Sequence, residues 1–536
     1  LIIYFEIQST FKLIKMKNKS NFLILSAIIG GLLFSLLFWQ ERLALNLLIY
    51  SIYLIGITYL NPDVVKGKKL YIFAFAHLFS AVLVVVNNSA LTQVSYYISL
   101  LVCVGFSHHQ KLRTVFMAIM AAILQMFTAP FNVLRNLSAI SVGNFNLKPA
   151  FKIVKYVFIP AVIVVVFACL YSAASSVFAH YAEAALINIG DFFEHVFGFI
   201  FEDLSFGRFM HFCFGLAVTA GLLIAFFDKS LQEIEIKCKE QLVRIRNRAN
   251  QKTLWFEAAK VFSGSLLTKK LALKTEFIIG LISFAALNLL LLFLNLIDIT
   301  TLWFGYKPVG NFSADLHDGT NSLIFSIALA MAIIIYFFRG NLNFYSKNKT
   351  LQLLAFAWMI QNAILVISVL IRAGYYIEFY GLTYKRIGVC IFSLLCIIGL
   401  ASVYIKVAKQ KTFFYLVKVN GTIWFVLLLA FSIINWDIFI VKYNLSHAES
   451  ISVDADYLLS LSDKTLPVLD KNRMKLQHTE SRSDYGMEIA KPATLLANQS
   501  KLNQRIGFFK ERYQQVTWVS WNLQDWNTAQ YFNINK

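Results

Sequence analysis

Charged side chains are scarce in this chain: Asp, Glu, Lys and Arg together make up 15% of 536 residues, against about a quarter in an ordinary soluble protein. With 58% of residues hydrophobic and 50 of them Phe, too little polar surface remains to clothe a water-soluble fold. Paired cysteines are missing as well. Of the six, Cys103, Cys169, Cys213, Cys390 and Cys396 lie in apolar segments and Cys238 in a basic loop. None falls in the polar C-terminal stretch, so neither a disulfide framework nor a CxxC metal pair is present. There is no Walker loop, GxSxG, kinase catalytic loop or CxxCH, which counts against an ATP-driven pump, a standard serine hydrolase and a c-type cytochrome. No cofactor and no metal is expected. A fixed-period repeat is absent, as is a matched pair of interrupted helices of the kind that marks inverted-repeat transporters.

What the chain does have is apolar blocks of the length that a helix needs to cross roughly 30 Å of hydrocarbon. They fall at about 22–39, 43–60, 70–86, 91–106, 114–129, 156–179, 207–227, 275–298, 319–338, 351–371, 387–405 and 412–434. The expected fold is all-α: a polytopic transmembrane helical bundle of eleven or twelve crossings, with a short polar C-terminal extramembrane region. The transmembrane domain is expected over 16–445, and an extracytoplasmic tail over 446–536. The chain begins at Leu1 while Met16 directly precedes the first apolar run, so residues 1–15 are candidates for an over-extended reading frame.

The net charge of +20 would suit nucleic acid, but no reading module accompanies it. In a membrane protein, Lys and Arg collect in cytoplasmic loops facing anionic lipid, and the partner expected is the bilayer. Lys66, Lys68 and Lys69, then Lys111 and Arg113, then Lys148, Lys152 and Lys155 mark such loops. So do the stretch 228–274, the group Arg339, Lys347 and Lys349, and the group Lys406, Lys409 and Lys411. This puts the N-terminus in the cytoplasm of a bacterial inner membrane and the tail outside. If 114–129 crosses, its flanking basic stretches fall on opposite faces. The segment is short, holds Gln125 and ends at Pro130, so a re-entrant or interfacial hairpin is expected, leaving eleven crossings; the alternative is twelve with one violation. Arg372, Lys385 and Arg386 form a weaker exception, because this scheme places them outside.

The richest polar chemistry lies between 288 and 386. Asn288, Asn295 and Asp298 share one side of a helix at i, i+7 and i+10. Asp315, His317, Asp318 and Asn321 follow in a short outer loop, Gln361 and Asn362 sit in the middle of the 351–371 helix, and Arg372, Glu378, Tyr380 and Arg386 come next. One reading is an outward polar pocket whose carboxylates and His317 handle a cation or protons. The competing reading is that Asn and Gln staple helices together, while the charged groups are solvated or cap helix ends, Asp318 being a plausible N-cap. Asp191 and His195 are four apart, but with Phe192, Phe193 and Phe197 between and after them an interfacial helix is the plainer expectation. Lys418 should snorkel to the cytoplasmic end, and His77 and His211 should serve as helix glue.

A resemblance rests on Asn295-Leu296-Ile297-Asp298, Trp303-Phe304-Gly305, His317-Asp318-Gly319-Thr320-Asn321, Tyr336-Phe337-Phe338-Arg339-Gly340, Gln361-Asn362 and Arg372. It continues through Tyr380-Gly381-Leu382-Thr383, Arg386, Asn435-Trp436-Asp437 and Tyr443-Asn444. In these the chain resembles a bacterial family of multi-pass membrane proteins defined by a domain of unknown function, in one of two related forms, the 4153/4173 group. The resemblance covers about 150–445 and implies a whole inner-membrane protein, with no activity attached. Three functions stay open: transport of a small solute, ion or lipid; a sensory or assembly role in which the tail meets an envelope protein partner; and a membrane-embedded enzyme acting on lipid or envelope precursors.

Overall fold

The structure, a computed structural model, describes residues 22–62, 64–137, 141–142, 145–146, 164, 167–173, 175–197, 205–224, 233, 235–242, 273–304, 312–451, 453–476 and 495–534. It is all-α apart from a two-residue ladder that pairs Ser141–Val142 with Phe145–Asn146. The chain forms two compact units, one of Leu1–Glu235 with Gln515–Trp526, the other of Ile236–Gln514 with Asn527–Lys536. These units do not follow the 445/446 division read from composition.

The first unit contains α1 (Phe22–Phe38), α2 (Leu45–Leu60), α3 (Lys68–Asn87), α4 (Ala90–His108), α5 (Val115–Leu137), α6 (Ser176–Phe197) and α7 (Phe206–Leu223). The second contains α8 (Leu273–Asp298) with its π-wound extension Ile299–Trp303, α9 (Phe312–Phe337), α10 (Asn348–Tyr380), α11 (Tyr384–Ala408) and α12 (Phe413–Ser432). After these come α13 (Trp436–Ser446), α14 (Ala455–Ser460), α15 (Leu466–Lys471), α16 (Leu495–Gln514) and α17 (Leu523–Tyr531). Seven described helices are long and apolar enough to cross a membrane: α3, α4, α7, α8 with its extension, α10, α11 and α12. Four shorter apolar helices accompany them, at Phe22–Phe38, Leu45–Leu60, Val115–Thr128 and Ser322–Phe337. The chain is a polytopic helical membrane protein. Much of the expected segment 156–179, most of the 228–274 loop and the expected linker near 472–500 from residue 477 to 494 lie outside the described residues.

The hairpin expected over 114–129 does not form. Val115–Leu137 is one unbroken helix of 23 residues. Gln125, which seemed misplaced in lipid, donates from Nε2 to the carbonyls of Gly221 at 2.8 Å and Leu222 at 3.4 Å. Both belong to the last turn of α7, where carbonyls lack an intrahelical donor. At the other end of α5, the buried Glu235 accepts from the Arg113 amide and the Thr114 hydroxyl, satisfying groups that the helix leaves open.

Within this unit, small polar groups join helices as the apolar setting requires. Ser51 donates to the Tyr96 hydroxyl at 2.9 Å, Tyr50 and Thr219 share a 2.7 Å hydrogen bond, and His77 Nδ1 meets Ser99 Oγ at 3.0 Å. His211 packs against the rings of Phe34 and Trp39. α4 and α5 cross so closely at Gly105 that an added Cβ would stand 2.1 Å from the Ala118 carbonyl oxygen, a backbone atom that cannot rotate away. Gly105→Ala should therefore destabilise the chain by about 1–3 kcal/mol through forced separation of the helices, read as a lowered midpoint of SDS-induced unfolding; an unchanged midpoint would refute this crossing.

In the second unit one core runs through Phe284, Ile334, Leu351, Trp358 and Val403, between α8, α9, α10 and α11. Another joins Leu382 and Ile387, at the α10–α11 turn, to Ile440, Leu458, Leu466, Leu502 and Phe509. Each leucine so buried contributes roughly 1.5–3 kcal/mol, so the tail helices rest on the helix ends beneath them. Asp463 knits the tail together, accepting from Arg505 at 2.8 Å and from Arg512.

Candidate functional site

The expected face of α8 is present and it meets α10. Asn288 Nδ2 donates to the carbonyls of Phe284 (2.7 Å) and Leu354 (3.0 Å), Gln361 Nε2 donates to Asn288 Oδ1 at 3.0 Å, and Asn295 Nδ2 donates to the Gln361 carbonyl at 3.1 Å. At the end of this ladder the Asp298 carboxylate, 2% exposed, is bonded to the Arg372 guanidinium. Immediately beyond, the π-wound turn Ile299–Trp303 is tied to α10: Trp303 Nε1 donates to Ser368 Oγ at 3.0 Å and the Tyr375 hydroxyl donates to the Leu302 carbonyl at 3.2 Å. Asn288, Asn295 and Gln361 thus act as staples, and Asp298 is a paired carboxylate. Asn362 is buried but bonded to its own helix through the Trp358 carbonyl at 2.8 Å.

Past Arg372 the chain makes a sharp reversal whose local sequence dictates it. Gly381 ends α10 at φ 76°, ψ −175°, a conformation essentially reserved for glycine. Thr383 then caps α11 by accepting from the Arg386 amide. Asn444 of α13 clamps the linker between them: its Oδ1 accepts from the Leu382 amide at 2.6 Å and its Nδ2 donates to the Leu382 carbonyl at 2.9 Å. Arg386 closes the turn from the other side, donating to the carbonyls of Tyr380 (2.8 Å) and Gly381 while its guanidinium stacks 4.3 Å from the Tyr376 ring. A second tie joins α11 to the tail. The Tyr384 hydroxyl donates to Asp437 Oδ1 at 2.5 Å, and Ser462 and Lys464 meet the other carboxylate oxygen.

These ties frame a cavity of about 920 Å³. Arg372, Lys385 and Arg386 supply its cations, and Tyr376, Tyr384 and Tyr457 its phenols. Ile324, Ala373, Val389 and Phe392 give it an apolar side. The acid at its rim, Asp454, is occupied as the N-cap of α14, accepting from the Tyr457 amide at 2.9 Å. The Tyr457 oxygen accepts from the Tyr384 amide at 3.0 Å, and burial pushes its phenol above the ordinary value, so it stays neutral. Arg372 is balanced by Asp298; among the described residues no carboxylate pairs with Lys385 or Arg386. The Nε donors of Arg372 and Arg386 are buried without an acceptor, a cost that an incoming oxygen acceptor would offset.

Of the residues singled out in the sequence, the structure brings Arg372 and Arg386 into the cavity and sets Asp298 and Tyr380 directly behind them. Glu378 is exposed and lies elsewhere on α10. Asp315, His317, Asp318 and Asn321 belong to α9, and their side chains lie outside the described residues. Lys385, Tyr384, Asp454 and Tyr457 join Arg372 and Arg386 in the cavity without having been candidates from the sequence. The three cations had nevertheless signalled themselves, because they are the group that breaks the expected charge asymmetry of the loops. Among the described residues no cluster of three or more metal-ligating side chains occurs.

Comparison with known proteins agrees with the architecture. Residues 73–472 match the family described as a domain of unknown function, DUF4153. The match takes in α4 and α5, ahead of the region the sequence motifs had marked. No curated protein and no solved structure matches the chain. With 400 of 536 residues inside the match, and the motif residues serving as the caps, clamps and cations of one cavity, the chain belongs to the DUF4153 family.

Proposed function

We propose that the chain is a bacterial inner-membrane transporter that recognises an anionic group at the cavity beside the α10–α11 turn. The observation that carries this reading is the pair Lys385 and Arg386, which have no carboxylate partner among the described residues, facing a cavity that also offers the Tyr457 hydroxyl. In the outward orientation proposed here, cations on this side have no role in anchoring to cytoplasmic lipid; Arg386 also closes the turn, and Lys385 is available to a ligand. Of the groups of a cation or proton pocket, Asp298 is paired and Glu378 is exposed, while the side chains of Asp315, His317 and Asp318 lie outside the described residues.

The orientation has its own support within each unit. In the first, Lys69 Nζ donates to the carbonyls of Gln110 (2.9 Å) and Leu112 (2.6 Å), so two basic loops meet at one end. In the second, Lys406 donates to the Phe338 carbonyl at 2.7 Å, Gln410 to the Asn343 carbonyl at 3.0 Å, and Lys418 pairs with Glu240 at 2.7 Å. The α10–α11 turn and α13 lie at the opposite helix ends. On this support we place the N-terminus in the cytoplasm and the tail outside.

A panel of anionic solutes and lipids assayed in liposomes tests the proposal. Lys385→Gln should lower flux about tenfold, the value of one charge-assisted contact. Gly388→Phe should block it, since a Cβ there meets nothing within 4 Å and the ring would fill the cavity. Wild-type flux indistinguishable from empty vesicles across the panel would overturn it. A second reading, a sensory or assembly protein whose tail meets an envelope partner, draws on the tail having its own helices and core; crosslinked partners unchanged after removal of 446–536 would dismiss it.

A further inference from the structure

We infer that the ligand of this cavity is an amphiphile, a lipid with an anionic headgroup, rather than a free anion; the inference rests on the anion-binding reading above and narrows it. The argument lies along α11. Lys385 and Arg386 stand in its first turn, and Gly388, Val389 and Phe392 follow on the same cavity wall. From Arg386 to Phe392 the helix advances about 9 Å into the apolar segment. Over that distance the lining changes from cations and phenols to hydrocarbon. Arg372 lies at a comparable depth on α10, but its charge is already balanced by Asp298, so among the described residues the charge without a carboxylate partner is confined to the head end.

The deep end of the cavity is open sideways. Phe392 lines it and is also 42% exposed, on a helix apolar enough to span the bilayer. A Cβ added at Gly388 meets nothing within 4 Å, so the wall carries a gap at the position between the cations and the phenylalanine. A wholly hydrophilic anion would leave Val389, Phe392 and Ile324 facing water that they cannot bind. An acyl chain would cover them while its headgroup oxygens meet Lys385, Arg386 and the Tyr457 hydroxyl.

The test uses the full chain in non-ionic detergent and measures equilibrium binding of four probes. These are long- and short-chain phosphatidylglycerol, phosphatidylcholine with the same long chains, and glycerol 3-phosphate. Long-chain phosphatidylglycerol should bind tightest, and shortening its chains should weaken binding roughly fourfold per methylene withdrawn from the wall. Lys385→Gln should weaken anionic lipid about tenfold, and Phe392→Ser should weaken it while leaving glycerol 3-phosphate unchanged. Both side chains are exposed, so neither change threatens folding. If glycerol 3-phosphate binds as tightly as the lipid, and Lys385→Gln weakens both, the amphiphile falls and the anion site stands. If phosphatidylcholine binds as tightly as phosphatidylglycerol, or if Gly388→Phe and Lys385→Gln leave all binding unchanged, both readings fall.

Discussion

Asp298→Leu is expected to lower the stability of the chain by about 3–5 kcal/mol, as is Arg372→Leu, because each leaves the other half of a buried ion pair without its partner. The Asp298 side chain is only 2% exposed, so water cannot take over as its partner, and the orphaned carboxylate of Arg372→Leu should cost at least as much as the orphaned guanidinium. The double replacement should recover most of the loss, since two apolar side chains of similar bulk avoid the desolvation cost that the pair itself carries. The measurement is the midpoint of SDS-induced unfolding for the two single variants and the double variant. Single variants near wild type, or a double variant as unstable as the sum of the singles, would show that the pair is not a structural unit. The proposed transport should respond differently. Asp298→Asn keeps a hydrogen-bond acceptor but frees a positive charge next to the cavity, so flux of an anionic substrate should change even where the unfolding midpoint moves little.

Gly381→Val is expected to have the second large effect, and it acts on the tail. At φ 76° and ψ −175° a β-branched residue carries strain of about 1–3 kcal/mol. The added Cβ would also stand 2.6 Å from Asn444 Oδ1, the atom that accepts the Leu382 amide. Relieving that clash pulls Asn444 away and strands two buried backbone groups of Leu382, each costing roughly 1–3 kcal/mol. The linker cannot keep both its turn and its clamp, so α13 and the helices packed behind it should loosen. Limited proteolysis of the tail should then quicken markedly in Gly381→Val. Asn444→Ala should show the same direction with a smaller change, as it removes the clamp without the strain. Unaltered proteolysis in both would mean that the tail is held by its apolar core alone.

Much of this architecture could be read from the sequence, and the parts that could not share a cause. Apolar runs located the helices, because a lipid-facing helix announces itself over twenty consecutive residues. The spacing of Asn288, Asn295 and Asp298 placed them on one face, and that face meets α10. Gln125 misled because a polar amide in a short apolar segment looks like a membrane-surface signal; its partners, the end carbonyls of α7, are nearly a hundred residues away and carry no side-chain mark. The same holds for the cavity. Tyr384 and Asp437, or Leu382 and Asn444, are joined over more than fifty residues, and only a folded tail brings Asp454 and Tyr457 to Lys385. The acidic residues drew attention because carboxylates beside a histidine suggest chemistry, whereas the cations of one short turn proved to line the space.

Residues 515–526 belong to the same compact unit as the first seven helices. The Ser520 hydroxyl donates to Glu41 at 2.6 Å and accepts from the Arg42 amide at 2.8 Å, Thr517 reaches the same carboxylate at 2.6 Å, and Gln524 donates to the Val86 carbonyl at 3.0 Å. A ribosome adding about 5–20 residues per second needs roughly half a minute to a minute and a half to travel from Arg42 to Ser520. For that interval the α1–α2 loop exists without the segment that will cover it. Assembly of the first unit is therefore finished by a piece made long after its helices, and their final docking waits on the tail rather than on insertion alone.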